Sequence, residues 1–317
     1  MTAFRLQVSG VVPTMAQRAE LYTRLKAMPD RISVRPFAKL LRTAFHDAAT
    51  YSADPADMKG GPAGCMRFES VQGTQANFGI PFMIDEIPWA IGGCTTCYAP
   101  WSAADIIQFA GAVASAEMGG PNFSTSMKWG RSDDPWILCQ GELQKAMPDH
   151  GGGHKDGWHA HGAGNVDARL NTTLAASRAY FEGVLGLEPA IWVALLGAHS
   201  VGGVAGVGNA KAAVVHFDET PGDLDSKYYQ RLELAADSGK TSLCPQMRSP
   251  GGAHWFSPPH PNWMILLDTD LSMVTDPELF EIVKLYAHNP AAFHAAFAQA
   301  MLVVSELGCD NELVEVA

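Results

Sequence analysis

Apolar residues recur at spacings of three and four along most of the chain, which is the period of a helix that buries one face. This pattern predicts helices over the segments 14–27, 36–49, 102–117, 168–185, 189–199, 223–236, 276–287 and 290–307. Runs that alternate apolar and polar residues, as strands do, are few and short. The sequence therefore predicts a mainly α-helical protein.

Helix start signals support several of these segments. Ser102 is followed three residues later by Asp105, as in a capping box, where a side chain binds a backbone N–H of the first turn. Pro36, Pro189 and Pro277 suit the first turn, because its N–H groups have no partner within the helix. We therefore expect helices to begin at these positions.

Composition narrows the class of protein. The 317 residues are 47% hydrophobic and 17% charged, which is typical of a globular chain with one large domain or two lobes. The net charge of −11 and the lack of a lysine or arginine run argue against nucleic acid as a partner. No apolar run approaches the length of a membrane span, so no membrane partner is expected.

The cysteines and the N-terminus bear on the compartment. Six cysteines are too sparse for a small disulfide-held fold, and one or two structural disulfides are expected. Cys94 and Cys97 form a CxxC pair, but Tyr98 follows where covalent haem attachment needs histidine. The N-terminus lacks the features of a signal peptide, so the protein is either intracellular or begins after a removed leader.

The segment LLRTAFHDAAT places a cation and a titratable base on one helix face. Arg42 and His46 are four residues apart, so their side chains point into the same space, with Phe45 beside them. A surface helix with both side chains solvated is the alternative. A second histidine, His199, ends the apolar helix WVALLGAHSVGGV, where it could also act as a C-terminal cap.

Acidic residues cluster in the segment HFDETPGDLDSKYY. Asp218, Thr220, Asp223 and Asp225 offer oxygen ligands of the kind that calcium uses, although a solvated acidic turn would have the same composition. Further along, Asp270 lies inside the otherwise apolar run MILLDTDLSM. A buried aspartate there needs a partner.

Nine motifs of this sequence together resemble the plant, fungal and bacterial haem peroxidase superfamily. In chain order they are LLRTAFHDAAT, GGPAGCMRFE, ANFGI, SAADIIQFAGAVA, GGP, WGRSDD, LLGAHSVGGV, FDETPGDLDSKYY and DTDLSM. The helix DIIQFAGAVA is most similar to the secreted fungal members, class II, whereas some other features are similar to class I. The resemblance implies a single haem peroxidase domain in which two helical lobes enclose haem b.

The resemblance implies roles for the residues on the proximal side of the haem. His199 matches the ligand of the haem iron, and Asp270 matches the buried aspartate that accepts a hydrogen bond from the other nitrogen of that ligand. This contact makes the imidazole a better electron donor to the iron. Phe217 stands where intracellular class I relatives often carry tryptophan, so the second oxidising equivalent is expected on the porphyrin.

On the distal side, the resemblance implies an acid–base set that cleaves hydrogen peroxide. His46 matches the base that takes a proton from peroxide and returns it to the departing oxygen. Arg42 would stabilise the negative charge that develops, Asn77 would orient His46, and Phe45 takes the distal aromatic position. The implied function is a peroxidase that works through a ferryl intermediate.

The resemblance also bears on calcium. The proximal calcium site of secreted members is matched by Ser200, Asp218, Thr220, Asp223 (through its backbone carbonyl) and Asp225, so one calcium ion is expected. At the distal site Asp47 is present. However, Ala63 and Cys65 replace an aspartate and a serine of secreted members, so the resemblance gives a distal ion little support.

Three departures from relatives point to small phenolic or aromatic donors. Arg35, Lys39 and Ala205 replace the acidic ligands of manganese-oxidising members. Ala194 replaces the exposed tryptophan of lignin-oxidising members, and Gly208 replaces the arginine that binds ascorbate in some class I relatives. A secreted monomer is expected, while an intracellular location stays open.

The glycine- and histidine-rich segment and the resemblance together predict the domain organisation. We expect one domain over 1–317, with a distal lobe over 1–147, a proximal lobe over 165–317 and an inserted loop rich in histidine and glycine over 148–164. The loop either shapes the substrate entrance, through His150, His154, Trp158, His159 and His161, or is disordered or incidentally metal-binding. Two other functions are alternatives: a non-catalytic haem sensor or carrier, and a metal hydrolase centred on the loop. The sequence contains no HExxH helix, which argues against the hydrolase.

Overall fold

The computed structural model describes residues 11–28, 36–53, 60–68, 71, 77, 80, 83–92, 98–139, 166–205, 214–237, 254–256, 264–309 and 313–316. Helices dominate these ranges, which confirms the predicted mainly α-helical class. They are α1 (Met15–Lys26), α2 (Pro36–Ala48), α3 (Met83–Gly92), α4 (Ala103–Glu117), α5 (Val166–Arg178), α6 (Pro189–Leu196), α7 (Lys227–Asp237), α8 (Asp268–Met273), α9 (Pro277–His288) and α10 (Pro290–Glu306). Short 3₁₀ helices cover Cys65–Arg67, Trp136–Leu138 and Gly197–Ser200, and a π-helical turn, Ala179–Val184, extends α5.

The predicted start signals are largely confirmed. The Ser102 side chain accepts the N–H of Asp105 at 3.0 Å, and prolines open α2, α6 and α9. The helix predicted from residue 223 instead begins at Lys227, because the acidic residues before it are used in the loop. The Asp225 carboxylate accepts the N–H of Lys227 at 2.8 Å and so caps the helix there.

A small four-stranded sheet was not predicted. Its strands are β1 (Gly203–Ala205), β2 (Val214–His216), β3 (His254–Phe256) and β4 (Met264–Leu266), in the order β1-β2-β4-β3. The β1–β2 and β3–β4 pairs are antiparallel, and β2–β4 is parallel. Strands of three residues are too short to produce an alternating pattern.

The chain forms two compact units, Met1–Ala146 with Met301–Ala317 and Met147–Ala300. The first contains α1 to α4, and the end of α10 packs with it, although the sequence pattern grouped residues 301–317 with the proximal lobe. Helices α2 and α4 approach closely, since a Cβ at Gly111 would lie 2.5 Å from Cβ of Ala44. The predicted inserted loop, 148–164, lies outside the described residues.

A buried ion pair joins three segments of the first unit. Asp105 of α4 and Arg131 are both fully buried, and their charged groups are 2.8 Å apart. The Asp105 carboxylate also accepts the N–H of Gly130, and Arg131 donates to the backbone oxygen of Ser305 at 2.8 Å. Because each charge is compensated and hydrogen-bonded, the pair fixes how α4 and the end of α10 meet.

The expectation of a structural disulfide is confirmed, and the structure supplies the pairing that the sequence left open. Cys65 and Cys139 are bonded, and both are buried. Beside this bond, the N–H of Asp134 donates to the carbonyl of Ala63, so the two chain segments are also joined through the backbone. Cys94, Cys97 and Cys244 lie outside the described residues.

The second unit contains α5 to α9 and the sheet. Its core includes two consecutive tyrosines of α7, Tyr228 and Tyr229, which are both fully buried. Gly197 lies against Tyr229, since a Cβ at this glycine would be 2.4 Å from the tyrosine oxygen. Among the described residues no single helix is long and apolar enough to span a membrane. One pair, Leu170–Val184 and Pro189–Ser200, meets the length and composition criteria together across a 114° bend.

Candidate functional site

Helix α2 places the predicted cation and base next to each other. Nε of Arg42 donates to Nε2 of His46 at 3.3 Å, as the four-residue spacing predicts. His46 is buried, with 4% of its surface exposed, and the Phe45 ring meets the imidazole edge to face at 5.9 Å. The solvated surface helix is therefore wrong for His46. The structure brings a hydrogen-bond donor and a base into one small volume.

Asn77 determines the tautomer of His46. Nδ2 of Asn77 donates to the carbonyl of Val71 at 2.7 Å, which turns Oδ1 toward His46. Oδ1 lies 2.7 Å from Nδ1 of the imidazole, and an amide oxygen can only accept, so Nδ1 carries the proton. Nε2 is then the unprotonated nitrogen. This arrangement makes Nε2 a proton acceptor held in one orientation.

Arg42 is exposed to solvent, but protein atoms crowd its charged group. Loss of hydration lowers the pKa of the Arg42 guanidinium from 12.5 to about 10. The side chain stays cationic near neutral pH. A cation with a reduced hydration shell interacts more strongly with a neighbouring anion than a fully hydrated one does.

Asp47 anchors the loop that follows α2. Its carboxylate is fully buried and accepts the N–H groups of Gly64 at 2.9 Å and Met66 at 3.0 Å. Burial raises the pKa of Asp47 to about 7, although both hydrogen bonds act in the opposite direction. Asp47 thus binds the backbone on either side of Cys65, through the oxygens that a distal calcium ion would need.

The second unit brings the predicted His199 and Asp270 together. Nδ1 of His199 lies 2.7 Å from Oδ1 of Asp270, which is fully buried at the start of α8. The other oxygen of Asp270 accepts the N–H of Leu267 at 2.7 Å. A carboxylate on Nδ1 fixes the tautomer, so the proton lies on Nδ1 and the lone pair on Nε2. The contact with Asp270 therefore holds the imidazole of His199 in one tautomer and one orientation.

Two aromatic rings hold the imidazole of His199. Phe217 stacks on it at 4.6 Å with an angle of 6° between the ring planes, and Tyr228 meets it edge to face at 6.0 Å. Tyr228 also donates its hydroxyl to Oδ1 of Asp270 at 2.8 Å. Sequence reasoning assigned no role to Tyr228. A buried tyrosine on an amphipathic helix has the same pattern as any core residue, so no sequence signal distinguishes it.

The five residues of the predicted calcium loop lie in one hydrogen-bonded cluster. Thr220 donates its N–H to Asp218 and its hydroxyl to Asp225, each at 2.8 Å. The Ser200 hydroxyl donates to the carbonyl of Asp223 at 3.0 Å and accepts the N–H of Asp225. The described part of the chain contains no group of three or more His, Cys, Asp or Glu side chains placed to hold a metal ion.

One atom of this loop is unsatisfied. Oδ2 of Asp218 is buried and has no hydrogen-bond partner among the described residues. Burial raises the pKa of this carboxyl to about 7, and the neighbouring Asp225 acts in the same direction. A buried carboxylate oxygen without a donor needs either a proton or a cation. The hydrogen bonds within the described residues supply neither to this oxygen.

Some of the positions that bear on the donor are not placed. Arg35 and Gly208 lie outside the described residues, and so do the histidines of the 148–164 loop. Ala194 is fully buried in α6.

Comparisons with known proteins give a consistent result. A family model described as peroxidase matches residues 18–289. L-ascorbate peroxidase 3 of Arabidopsis thaliana is 26% identical over 274 residues, which cover 85% of this chain and 73% of the relative. Probable L-ascorbate peroxidase 3, peroxisomal, of Oryza sativa subsp. japonica is 27% identical over 273 residues, with coverage of 85% and 72%. L-ascorbate peroxidase 2, cytosolic, of the same plant is 25% identical over 280 residues, with 86% of each chain covered.

Proposed function

Because the chain belongs to the peroxidase family and is an oxidoreductase that acts on hydrogen peroxide, we propose that small phenolic or aromatic donors supply its electrons. The site roles implied by the sequence are part of this proposal. The observation that carries them is the tautomer of His46, which Asn77 sets through a 2.7 Å contact. An unprotonated, buried Nε2 beside a guanidinium is suited to take a proton from peroxide.

His46 and Arg42 have different roles in the reaction with peroxide: His46 transfers the proton, and Arg42 stabilises charge. Nε2 of His46 accepts the proton of the attacking oxygen, and the Asn77 oxygen stabilises the imidazolium through Nδ1–H. The same proton then goes to the departing oxygen, so the histidine is regenerated and water leaves. Arg42, 3.3 Å from Nε2, stabilises the negative charge on the separating oxygen atoms. A non-catalytic haem carrier would not require this set.

His199 is the residue that would hold haem b. Its Nδ1 contacts Asp270, the stacked Phe217 and edge-on Tyr228 fix the ring plane, and Nε2 would be the atom that binds the iron. When bound, the haem supplies the iron that exchanges electrons with peroxide and donor. The contribution of the protein is the electron-rich imidazole, because the buried Asp270 pulls on its Nδ1 proton.

Ascorbate is the second candidate for the electron donor. The three relatives described above are named ascorbate peroxidases, which favours ascorbate. Gly208, in contrast, stands where some ascorbate-using relatives carry a binding arginine, which favours phenols. Steady-state rates with guaiacol and with ascorbate at one peroxide concentration separate the two. A higher kcat/KM for guaiacol supports the proposal, and a higher value for ascorbate overturns this part of it.

Stopped-flow absorption tests the peroxide step. The haem-reconstituted protein is mixed with one equivalent of hydrogen peroxide, and the Soret change is followed in wild type and His46→Ala. We expect the variant to react about 10²–10⁴-fold more slowly, since a positioned general base contributes that much. His288→Ala, at an exposed histidine of α9, is the matched control and should react like wild type. Equal rates for His46→Ala and wild type would contradict the role of His46.

We also propose that the 218–225 loop binds one calcium ion. Asp218 and Asp225 would provide carboxylate oxygens, Thr220 and Ser200 their neutral oxygens, and Asp223 its carbonyl, a mixture that calcium accepts. The buried, unsatisfied Oδ2 of Asp218 supports this assignment. Calcium should raise the unfolding temperature of wild type but not of Asp218→Asn. Asp237→Asn, at the exposed end of α7, is the control that should keep the response.

The proposal also covers the cellular location and the oligomeric state of the protein. The secreted location expected from the sequence gains no support from the relatives, of which one is named peroxisomal and another cytosolic. We therefore assign this chain an intracellular location, which fractionation of the source cells tests. The expectation of a monomer stays a prediction, and size-exclusion chromatography with light scattering checks it.

A further inference from the structure

One oxygen of Asp270 receives two side-chain hydrogen bonds. Oδ1 lies 2.7 Å from Nδ1 of His199 and 2.8 Å from the hydroxyl of Tyr228. The third bond, from Leu267 N–H, goes to Oδ2. His199 and Tyr228 therefore compete for the negative charge on one atom.

We propose that Tyr228 is a positioning residue that limits how strongly Asp270 pulls on the Nδ1 proton of His199, and so sets the electron density that His199 gives to iron. This inference rests on the proposed role of His199 as the haem ligand. Tyr228 acts only through Asp270 and the imidazole. Its hydroxyl takes part of the carboxylate charge that would otherwise polarise the histidine.

The surroundings make this contact strong. Asp270 and Tyr228 are both fully buried, so water does not compete for the carboxylate. Burial, and then the charge of Asp270, raise the pKa of Tyr228 well above 10, which keeps the phenol protonated and a donor. A hydrogen bond from a neutral donor to a carboxylate in such a place is among the stronger ones in proteins.

Geometry also keeps the donor in place. The Tyr228 ring meets the imidazole at 87° and packs edge to face against Tyr229 at 5.1 Å. Phe217 covers the imidazole with nearly parallel planes. The hydroxyl of Tyr229 is directed elsewhere, to the carbonyls of Val193 at 2.9 Å and Ala194 at 3.3 Å. The hydroxyls of two neighbouring, equally buried tyrosines of one helix therefore have different partners, and only that of Tyr228 donates to Asp270.

This pair provides the test. Tyr228→Phe removes the hydroxyl on Asp270, and Tyr229→Phe removes an equally buried hydroxyl that does not contact it. In haem-reconstituted proteins two quantities report on the ligand: the iron–histidine stretching band of the reduced protein in resonance Raman spectra, and the midpoint potential of the iron. Neither depends on turnover.

With Tyr228→Phe, Asp270 pulls harder on Nδ1, so the imidazole becomes a stronger donor and the oxidised iron is stabilised. We expect the stretching band to move to higher frequency and the potential to become more negative, while Tyr229→Phe matches wild type. Equal shifts in both variants, or none in Tyr228→Phe, would overturn the inference.

The outcomes distinguish this inference from the proposed function. If wild type shows an iron–histidine band that His199→Gln abolishes, but Tyr228→Phe leaves the band unmoved, His199 remains the ligand and only the role of Tyr228 fails. If wild type has no such band, or His199→Gln leaves it in place, the ligand assignment and the role of Tyr228 both fail. The hydroxyl deletion leaves the ring in place, and circular dichroism verifies that each variant is folded.

Discussion

The side-chain oxygen of Asn77 lies 2.7 Å from Nδ1 of His46, and its orientation is set by the bond from Nδ2 to the carbonyl of Val71. Through this chain of two contacts, a residue 31 positions from the histidine determines which imidazole nitrogen is the base. The sequence pattern alone cannot show it, because Asn77 lies on no helix face shared with His46.

Asn77→Val should slow the reaction with peroxide without removing haem binding. Loss of the Oδ1 acceptor lets either tautomer form and removes the group that stabilises the imidazolium. We expect a fall of about 10- to 100-fold in the second-order rate constant, the usual effect of losing an orienting hydrogen bond on a functional histidine. Stopped-flow absorption measures it. A rate equal to wild type would show that packing alone orients His46.

Asp47 should make stability depend on pH. Its pKa is raised by burial from 3.8 to about 7, so between these values the folded chain binds a proton that the unfolded chain has released. The free energy of unfolding then falls as pH rises from about 4 to about 7, by at most about 4 kcal/mol from this group. The contribution is present at low pH and lost above about 7.

Asp47→Asn removes this titrating group. We therefore expect the difference in unfolding free energy between wild type and variant to favour wild type more at pH 5 than at pH 8, in urea titrations at both values. The amide keeps one acceptor for the N–H groups of Gly64 and Met66, so a constant loss is superimposed. A difference that does not change with pH would mean that Asp47 does not titrate in this window.

The Cys65–Cys139 disulfide should stabilise the loop that Asp47 anchors. The bond closes a segment of 74 residues, and loop-closure entropy alone gives about 4 kcal/mol for such a length. Cys65 lies between the two residues that bind Asp47, which follows His46 directly. Cys139→Ser should lower the free energy of unfolding by about 2–4 kcal/mol. An unchanged midpoint in urea would show that the backbone hydrogen bond from Asp134 to Ala63 suffices.

Several elements could be predicted from the sequence because their signals are local. The spacing of Arg42 and His46 follows from helix geometry, and Ser102 and Pro189 mark helix starts through rules that involve one turn. Helix α3 could not be predicted in this way, since Pro88 interrupts its pattern.

Contacts between site residues that are far apart in the sequence were harder to predict. His199 and Asp270 are 71 residues apart, and the resemblance to known sequences, rather than any spacing, joined them. The hydroxyl of Tyr228 meets Asp270 across 42 residues, and neither spacing nor resemblance indicated it. Such contacts depend on tertiary packing, which a periodic pattern does not encode.

The close packing at Gly197 leads to the last prediction. A Cβ at this position would lie 2.4 Å from the hydroxyl oxygen of Tyr229 and 2.5 Å from Cε2 of Phe293. Both rings are buried and in contact with one another at 5.0 Å, so neither can move away at low cost. Gly197→Ala should therefore destabilise the protein by about 1–3 kcal/mol, as overpacking does.

The 3₁₀ helix that contains Gly197 also carries His199, so displacement of its backbone should lower haem affinity as well. Gly183→Ala is the matched control, because a Cβ at Gly183 meets nothing within 4 Å. In a helical turn that change should stabilise by about 0.5–1 kcal/mol. Urea unfolding and haem titration of both variants check the pair. If Gly197→Ala were as stable as Gly183→Ala, the Tyr229 and Phe293 rings against Gly197 would have to be more adaptable than their burial implies.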